Sequence, residues 1–304
     1  MTIQTNRIST FTLHQRTLND FTRVQSNLFD LQGQISSGLK SQDFEGLNGD
    51  VEEFTGLESK LKRLNNYFNS NTEAISRLKT MGSAMDNMVD IVDDIKNLIG
   101  SRNGANEDDL AFEQQIKDMR LSVSRELNTT LQGRFLFGGT NTSEAPVIDD
   151  PVPESVTTGV PDDVYYKGSK DDFILRAQEN VEKKYGVRAD DPAFQKIYAG
   201  MSMALEGHAE DDDAKVGRAF TLVSEGLDQL IALKARVDAD YVDLNNINDR
   251  HQSSITYFKG VAEAISKSDP VAASTQVAVD QSILQATFQV FARISSLKLS
   301  DFLT

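Results

Sequence analysis

Both ends of the chain carry apolar side chains at the spacing of a coiled-coil helix, and this feature most limits what the chain can fold into. Spacings of three, four and seven place each set on one face of a helix. The N-terminal set is Ile8, Phe11, Leu18, Phe21, Leu28, Leu31 and Ile35, and the C-terminal set is Val277, Leu284, Phe288, Phe291, Ile294 and Leu297.

These two end segments hold few charges. Residues 1–40 contain two acids and four bases, and residues 270–304 contain two of each. A helix that faces water on one side usually carries many charges there, so these helices are typical of segments packed on several sides. Two interpretations follow. The helices close an ordinary bundle, or they are buried between copies of the same protein as subunit-packing elements.

Composition excludes several classes of function. The net charge of −15 argues against nucleic acid or an anionic membrane as a partner. We find neither an apolar run long enough to span a membrane nor the pattern of a cleaved signal peptide. Cysteine is absent, so disulfides, thiolate nucleophiles and cysteine metal sites are excluded.

The centre of the chain is also dominated by helical periodicity. Apolar residues alternate by three and four from Phe54 to Ile99 and from Val216 to Ile265, which predicts two long helices. Lys234, Asn248 and His251 fall on the seam of the second one. A third helix is predicted from about Asp108 through Leu131, closed by Gly133, and Asp269-Pro270 separates the last two helices.

Residues 140–213 follow a different pattern. They hold five of the six prolines, and 17 acids against 7 bases. Short β-like runs occur at 164–166 and 173–175, and a helix is predicted to begin after Asp190-Asp191-Pro192. We interpret this segment as a small, acidic α/β insert that can be removed without unfolding the flanking helices.

The predicted fold class is therefore mainly α: an elongated rod of long antiparallel coiled-coil-like helices with both termini at one end, plus the small α/β insert. The predicted parts are an N-terminal assembly helix (1–45), rod helices (46–139), the outer insert (140–213), a returning rod helix (214–269) and a C-terminal assembly helix (270–304). The first and last parts are predicted to pair.

Three stretches resemble the flagellin family. They are RISTFTLHQRTLNDFTRVQSNLFDLQGQISSGLKS at residues 7–41, SILQATFQVFARISSLKLSDFL at 282–303, and GRFLFGGTNT at 133–142. The first two are similar to the family's terminal helices. The third is similar to the point where the rod enters the outer domain in the family's hook-filament junction branch.

The resemblance implies a structural component of the bacterial flagellum that joins hook to filament through packing of its terminal helices. The alternatives are a filament subunit and, more remotely, an exported coiled-coil effector. The implied partners are copies of itself in a ring or tube, a neighbouring hook-associated protein, flagellin and an export chaperone. The implied location is outside the cell, on the flagellum, after type III export without a cleaved signal peptide.

We find no constellation of residues that would support an enzyme. The three histidines, His14, His208 and His251, lie in separate segments, and no nucleotide-binding or nucleophile motif occurs. We therefore predict no catalytic residue, no cofactor site and no metal site. Asp211-Asp212-Asp213 lacks the ligand spacing of a calcium loop and is interpreted as a solvated run of charge.

Overall fold

The computed structural model describes residues 4–41, 49–102, 109–147 and 159–300, and these residues are mainly α-helical. The helices are α1 (Gln4–Ser37), α2 (Val51–Ser101), α3 (Asp109–Leu127), α4 (Pro192–Ala209), α5 (Asp213–Ser266) and α6 (Pro270–Ser300). The strands are β1 (Thr130–Leu131), β2 (Arg134–Phe135), β3 (Phe173–Gln178) and β4 (Val181–Tyr185). The mainly α fold class predicted from the sequence is confirmed.

The chain divides into two compact units. The terminal unit comprises Met1–Lys62 and Ile255–Thr304, and the central unit comprises Arg63–Ser254. The buried hydrophobic core runs in sequence from Ala74 to Ile247, so it lies within the central unit.

Aspartate caps determine where two helices begin. The carboxylate of Asp269 accepts hydrogen bonds from the backbone N–H groups of Val271 and Ala272, at 2.9 and 3.2 Å. Asp191 caps α4 in the same way, by accepting from the backbone N–H of Ala193. In both helices proline occupies the first position, where a missing N–H has no cost.

The third helix ends earlier than predicted. α3 stops at Leu127, and Leu131 lies in β1 of a short hairpin in which Thr130 pairs with Phe135. Gln132 and Gly133 both adopt positive φ, 52° and 75°. A two-residue hairpin turn needs positive φ at both positions if its twist is to match that of the strands. Gly133 therefore turns the hairpin and does not close the helix.

The second hairpin, β3–β4, is antiparallel and contains a bulge between Arg176 and Gln178. The bulged residue, Ala177, turns its carbonyl toward α2 and α5. This oxygen accepts hydrogen bonds from Asn71 Nδ2 at 3.0 Å and His251 Nε2 at 2.9 Å. Because a carbonyl oxygen only accepts, Nε2 is the protonated nitrogen of this imidazole.

The insert shares the core of the flanking helices. Tyr165, Phe194, Ile197 and Met201 of the insert are buried and belong to the same cluster as the core residues of α2, α3 and α5. The described residues of 140–213 therefore do not form a separate core. The expectation that the insert can be removed without unfolding its neighbours stays a prediction, and the burial of its aromatic side chains in the shared core argues against it.

Glycines let α4 approach α5 closely. A Cβ on Gly200 would lie 2.7 Å from Val223 Cγ2 and 3.3 Å from the Ala219 carbonyl oxygen. A Cβ on Gly226 would lie 2.7 Å from Ile197 Cγ1. Only a residue without a side chain fits at such contacts, so these glycines fix α4 of the insert against α5.

Candidate assembly surface

The terminal unit is built around the pairing of α1 with α6. The two helices are antiparallel, since Leu39 bridges to Lys267 while Phe21 contacts Phe288 further along. The Phe21 and Phe288 rings meet edge to face, with centroids 5.2 Å apart. The N-terminal end of α1 and the C-terminal end of α6 therefore lie at the same end of the pair, as the sequence predicts.

A short backbone clasp holds the other end of the pair. The Lys40 N–H donates to the Ser266 carbonyl at 2.7 Å, and the Ser268 N–H donates to the Gly38 carbonyl at 2.9 Å. The Ser268 hydroxyl donates to Gln34 Oε1 at 3.3 Å. The clasp joins the segments that follow α1 and precede α6.

Each helix of the pair has one partly covered seam. On α6 the covered side chains, which alternate by four and three residues, are Ala273, Val277, Asp280, Leu284, Thr287 and Phe291. On α1 the corresponding side chains are Thr17, Phe21, Val24, Leu28, Leu31 and Gln34. Such alternation is the pattern of two helices packed along a coiled-coil seam.

The predicted subunit-packing residues fall into three groups. The half-buried seam residues Phe21, Leu28, Leu31, Val277, Leu284 and Phe291 line this intramolecular contact. Three others are exposed: Leu18 by 45%, Ile35 by 40% and Phe288 by 55%. The side chains of Ile8, Phe11, Ile294 and Leu297 lie outside the described part of the structure. The packing of all of them against other subunits stays a prediction.

A second stripe of apolar residues on α6 was missed by the sequence analysis. Val279, Ile283 and Val290, with spacings of four and seven, are exposed, and we call them the second stripe. On α1, Phe29 is the most open large apolar side chain, at 78% exposure. The signal was present in the sequence, because apolar residues spaced by four and seven beside the seam residues give a helix a second apolar face.

The packing of this pair is unfinished. Among the described side chains of α1 and α6, Ala273 is the only hydrophobic one that is buried, whereas the central unit buries dozens. Leu18, Phe21, Phe288 and Phe291 line an apolar cleft together with Thr17 and Thr287. Exposed apolar side chains in such number are typical of interaction surfaces.

The GRFLFGGTNT motif lies in the central unit, where close backbone contacts explain its glycines. A Cβ on Gly138 would lie 2.4 Å from the Asn141 carbonyl oxygen. Gly139 has φ +60°, and a Cβ there would lie 2.3 Å from the Ser169 carbonyl oxygen. The Ser169 N–H also donates to the Gly138 carbonyl at 2.9 Å, so both glycines are needed where this segment meets the 169–171 loop.

The described residues contain no group of three or more histidine, cysteine or acidic side chains placed to hold a metal ion. In the same part of the chain, none of the helices is long and apolar enough to cross a membrane. His208 packs against Phe112, with ring centroids 4.5 Å apart, and His251 is held by the Ala177 carbonyl. The side chain of His14 lies outside the described residues.

The pKa shifts have structural causes. A hydrogen bond from Lys170 lowers the pKa of Asp163, and burial raises the pKa of Tyr165 well above its usual value. Burial likewise raises the pKa of Tyr198. These groups lie in ion pairs or in the core, and none of them lines the cleft between α1 and α6.

Comparison with known proteins identifies a family resemblance in the N-terminal part of the chain. The bacterial flagellin N-terminal helical region matches residues 8–142, which span α1, α2, α3 and the β1–β2 hairpin. No curated protein matches the chain significantly.

Two solved structures share the fold. A protein assigned as a flagellar hook-associated protein of Vibrio parahaemolyticus has 14% sequence identity and a TM-score of 0.58, over 74% of this chain and 99% of that one. FlgL of Bacillus cereus has 15% identity and a TM-score of 0.50, over 64% of this chain and 98% of that one. The resemblance found in the sequence is thus confirmed over residues 8–142, which match the N-terminal helical region of the bacterial flagellins.

Proposed function

We propose that this protein is a structural component of the bacterial flagellum that joins hook to filament. In this proposal α1 and α6 of each copy pack against the same helices of neighbouring copies, forming a ring or tube. The observation that carries the proposal is the unfinished α1–α6 pair, since its second stripe and the exposed Phe29 need a covering partner. The flagellin helical region includes α1, and this supports the same role for the pair.

The further partners follow from this position in the flagellum. They are a neighbouring hook-associated protein on one side, flagellin on the other, and a chaperone that covers the terminal helices before export. The protein acts outside the cell and reaches the flagellum by type III export. It is not an enzyme, and it binds neither nucleic acid nor membrane, which agrees with its net charge of −15.

Likeness to a hook-associated protein and to FlgL favours a junction role over that of filament subunit. Electron microscopy of the purified protein separates the two roles. A junction protein alone should form no long filaments, whereas a filament subunit alone should polymerise into long filaments. Long filaments from the pure protein would overturn the junction role.

The helix pair is tested by the double substitution Phe288→Ala with Phe291→Ala. Each aromatic contributes about 2–3 kcal/mol when fully buried, so losing two weakens every joint between subunits. Thermal unfolding of the monomer should stay nearly unchanged, because both residues lie outside the central core. Cells with the variant should export it, yet release flagellin into the medium instead of growing attached filaments.

The matched control is Ile174→Ala, which removes an exposed apolar side chain from the central unit. This variant should support attached filaments. Normal motility of the double variant would contradict the proposed role of the pair. A large fall in its monomer melting temperature would instead mean that α1 and α6 close an ordinary bundle.

A further inference from the structure

One charged side chain lies in the seam between α1 and α6. Asp280 is only 4% exposed, and it occupies the seam position between Val277 and Leu284. Polar residues at such positions reduce the stability of a helix pair and select particular partners. The other charged side chains described on α6 and α1 are exposed, so Asp280 differs from them in its burial.

Only one of the two carboxylate oxygens of Asp280 has a hydrogen-bond partner among the described residues. Oδ1 accepts a hydrogen bond from Gln276 Nε2 at 2.8 Å. Oδ2 is buried, and no donor reaches it within the ranges that the structure describes. A buried acceptor without a partner keeps its full desolvation cost, so this oxygen weakens the isolated pair.

α1 offers no base at this level. The contacts Leu39–Lys267 and Phe21–Phe288 set the antiparallel register, which brings Asp280 opposite residues 26–29. Those residues are Ser-Asn-Leu-Phe, and the nearest base along α1, Arg23, is paired with Asp20 at 3.0 Å. Within the pair, the free oxygen therefore has no cation at its own level.

The second stripe runs beside this carboxylate. Val279 precedes Asp280 and Ile283 follows it by three residues, so a helix seated on the second stripe passes next to it. We expect a change of the Asp280 χ1 rotamer to turn the carboxylate from the seam toward that helix. The exposed polar residues of α6 near this level include two amides, Gln281 and Gln285, and α1 likewise exposes Gln25 and Gln32.

We infer that Asp280 is a specificity residue of the assembly surface, whose free oxygen accepts a hydrogen bond from a side-chain amide of a second copy. This inference rests on the proposed function. In the monomer the unpaired oxygen keeps the α1–α6 pair weak. In the assembly the amide N–H donates a hydrogen bond to this oxygen. The desolvation cost of the unpaired oxygen therefore destabilises only the unassembled protein.

The first test measures the isolated protein. Amide hydrogen exchange in α6 should slow at least tenfold in Asp280→Leu, because an apolar side chain completes the seam. Gln281→Leu is the matched control, since it adds the same side chain at the neighbouring exposed position, and it should leave exchange unchanged. Unaltered or faster exchange in Asp280→Leu would overturn the claim that Asp280 weakens the pair.

The second test measures assembly in cells that lack their own copy of the gene. Attached filaments are counted by electron microscopy, and the exported protein in the medium is quantified to confirm folding and export. Asp280→Leu should restore at most one tenth of the attached filaments that the unchanged protein restores. Asp280→Asn should restore at least one third, because an amide can still bond to an amide.

The outcomes separate the two claims. Full restoration by Asp280→Leu would overturn the role of the free oxygen in assembly while leaving the proposed function intact. Loss of filaments in Asp280→Asn as severe as in Asp280→Leu would overturn the amide partner and indicate a cation. If the unchanged protein restores no filaments, the proposed function fails together with the assembly claim. Hydrogen exchange would still decide whether Asp280 weakens the monomer.

Discussion

Replacing Phe194 by alanine tests whether the acidic insert is part of the central core. Phe194 is fully buried in α4, and its ring meets that of Phe137 edge to face, with centroids 6.5 Å apart. Truncating a buried phenylalanine costs about 3–5 kcal/mol, from lost burial and from the cavity left behind. For a unit the size of Arg63–Ser254, this corresponds to a fall in melting temperature of roughly 6–20 °C.

The assay is thermal unfolding of the full chain, followed by circular dichroism at the helical band. Ile174→Ala is the matched control, since its side chain is 63% exposed and its loss should shift the melting temperature by less than about 2 °C. Helices α2 and α5 should unfold together with the insert in the Phe194 variant. Equal melting temperatures for the two variants would refute the shared core and restore the view of a separable insert.

Three other perturbations have clear expected outcomes. Gly139→Ala should lower the free energy of unfolding by roughly 2–4 kcal/mol in urea, whereas Gly217→Ala, which has open space around it in α5, should not. In a double-mutant cycle, Asn71→Ala and His251→Ala should show a coupling of about 0.5–3 kcal/mol, because both donate to one carbonyl; a coupling of zero would contradict this. Because burial raises the folded-state pKa of Tyr165 above its unfolded value, stability should be full below about pH 10 and fall as the pH rises beyond it. A pH titration followed by the ultraviolet absorbance of the phenolate would measure this ionisation. Ionisation of Tyr165 at or below pH 10 in the folded protein would refute the prediction.

The long helices could be predicted from sequence because their own periodicity specifies them. The apolar alternation from Phe54 to Ile99 lies within α2, and the alternation from Val216 to Ile265 lies within α5. The end of α3 could not be placed in this way, because Leu131 keeps the helical spacing. The left-handed turn at Gln132-Gly133 decides the local structure there.

The membership of the core was harder to predict than the helices. Tyr165 and Phe194 are spaced irregularly and lie in an acidic, proline-rich segment, so no periodic pattern indicates their burial. They are buried only because β3–β4 and α4 fold back onto α2 and α5, and such contacts depend on tertiary structure. The second stripe was missed for a different reason, since the periodicity argument sought one apolar face per helix.

The backbone clasp changes how α1 and α6 find each other. Because the Gly38–Lys40 and Ser266–Ser268 segments are hydrogen-bonded, the end of α1 lies close to the start of α6. Their pairing is then a unimolecular step, with an effective concentration on the order of millimolar. A free helix from another molecule would need a comparable concentration to displace α6 from α1. The clasp therefore favours the pairing of α1 with α6 of the same chain over exchange with a helix from another molecule, and it leaves the exposed faces of an intact pair available.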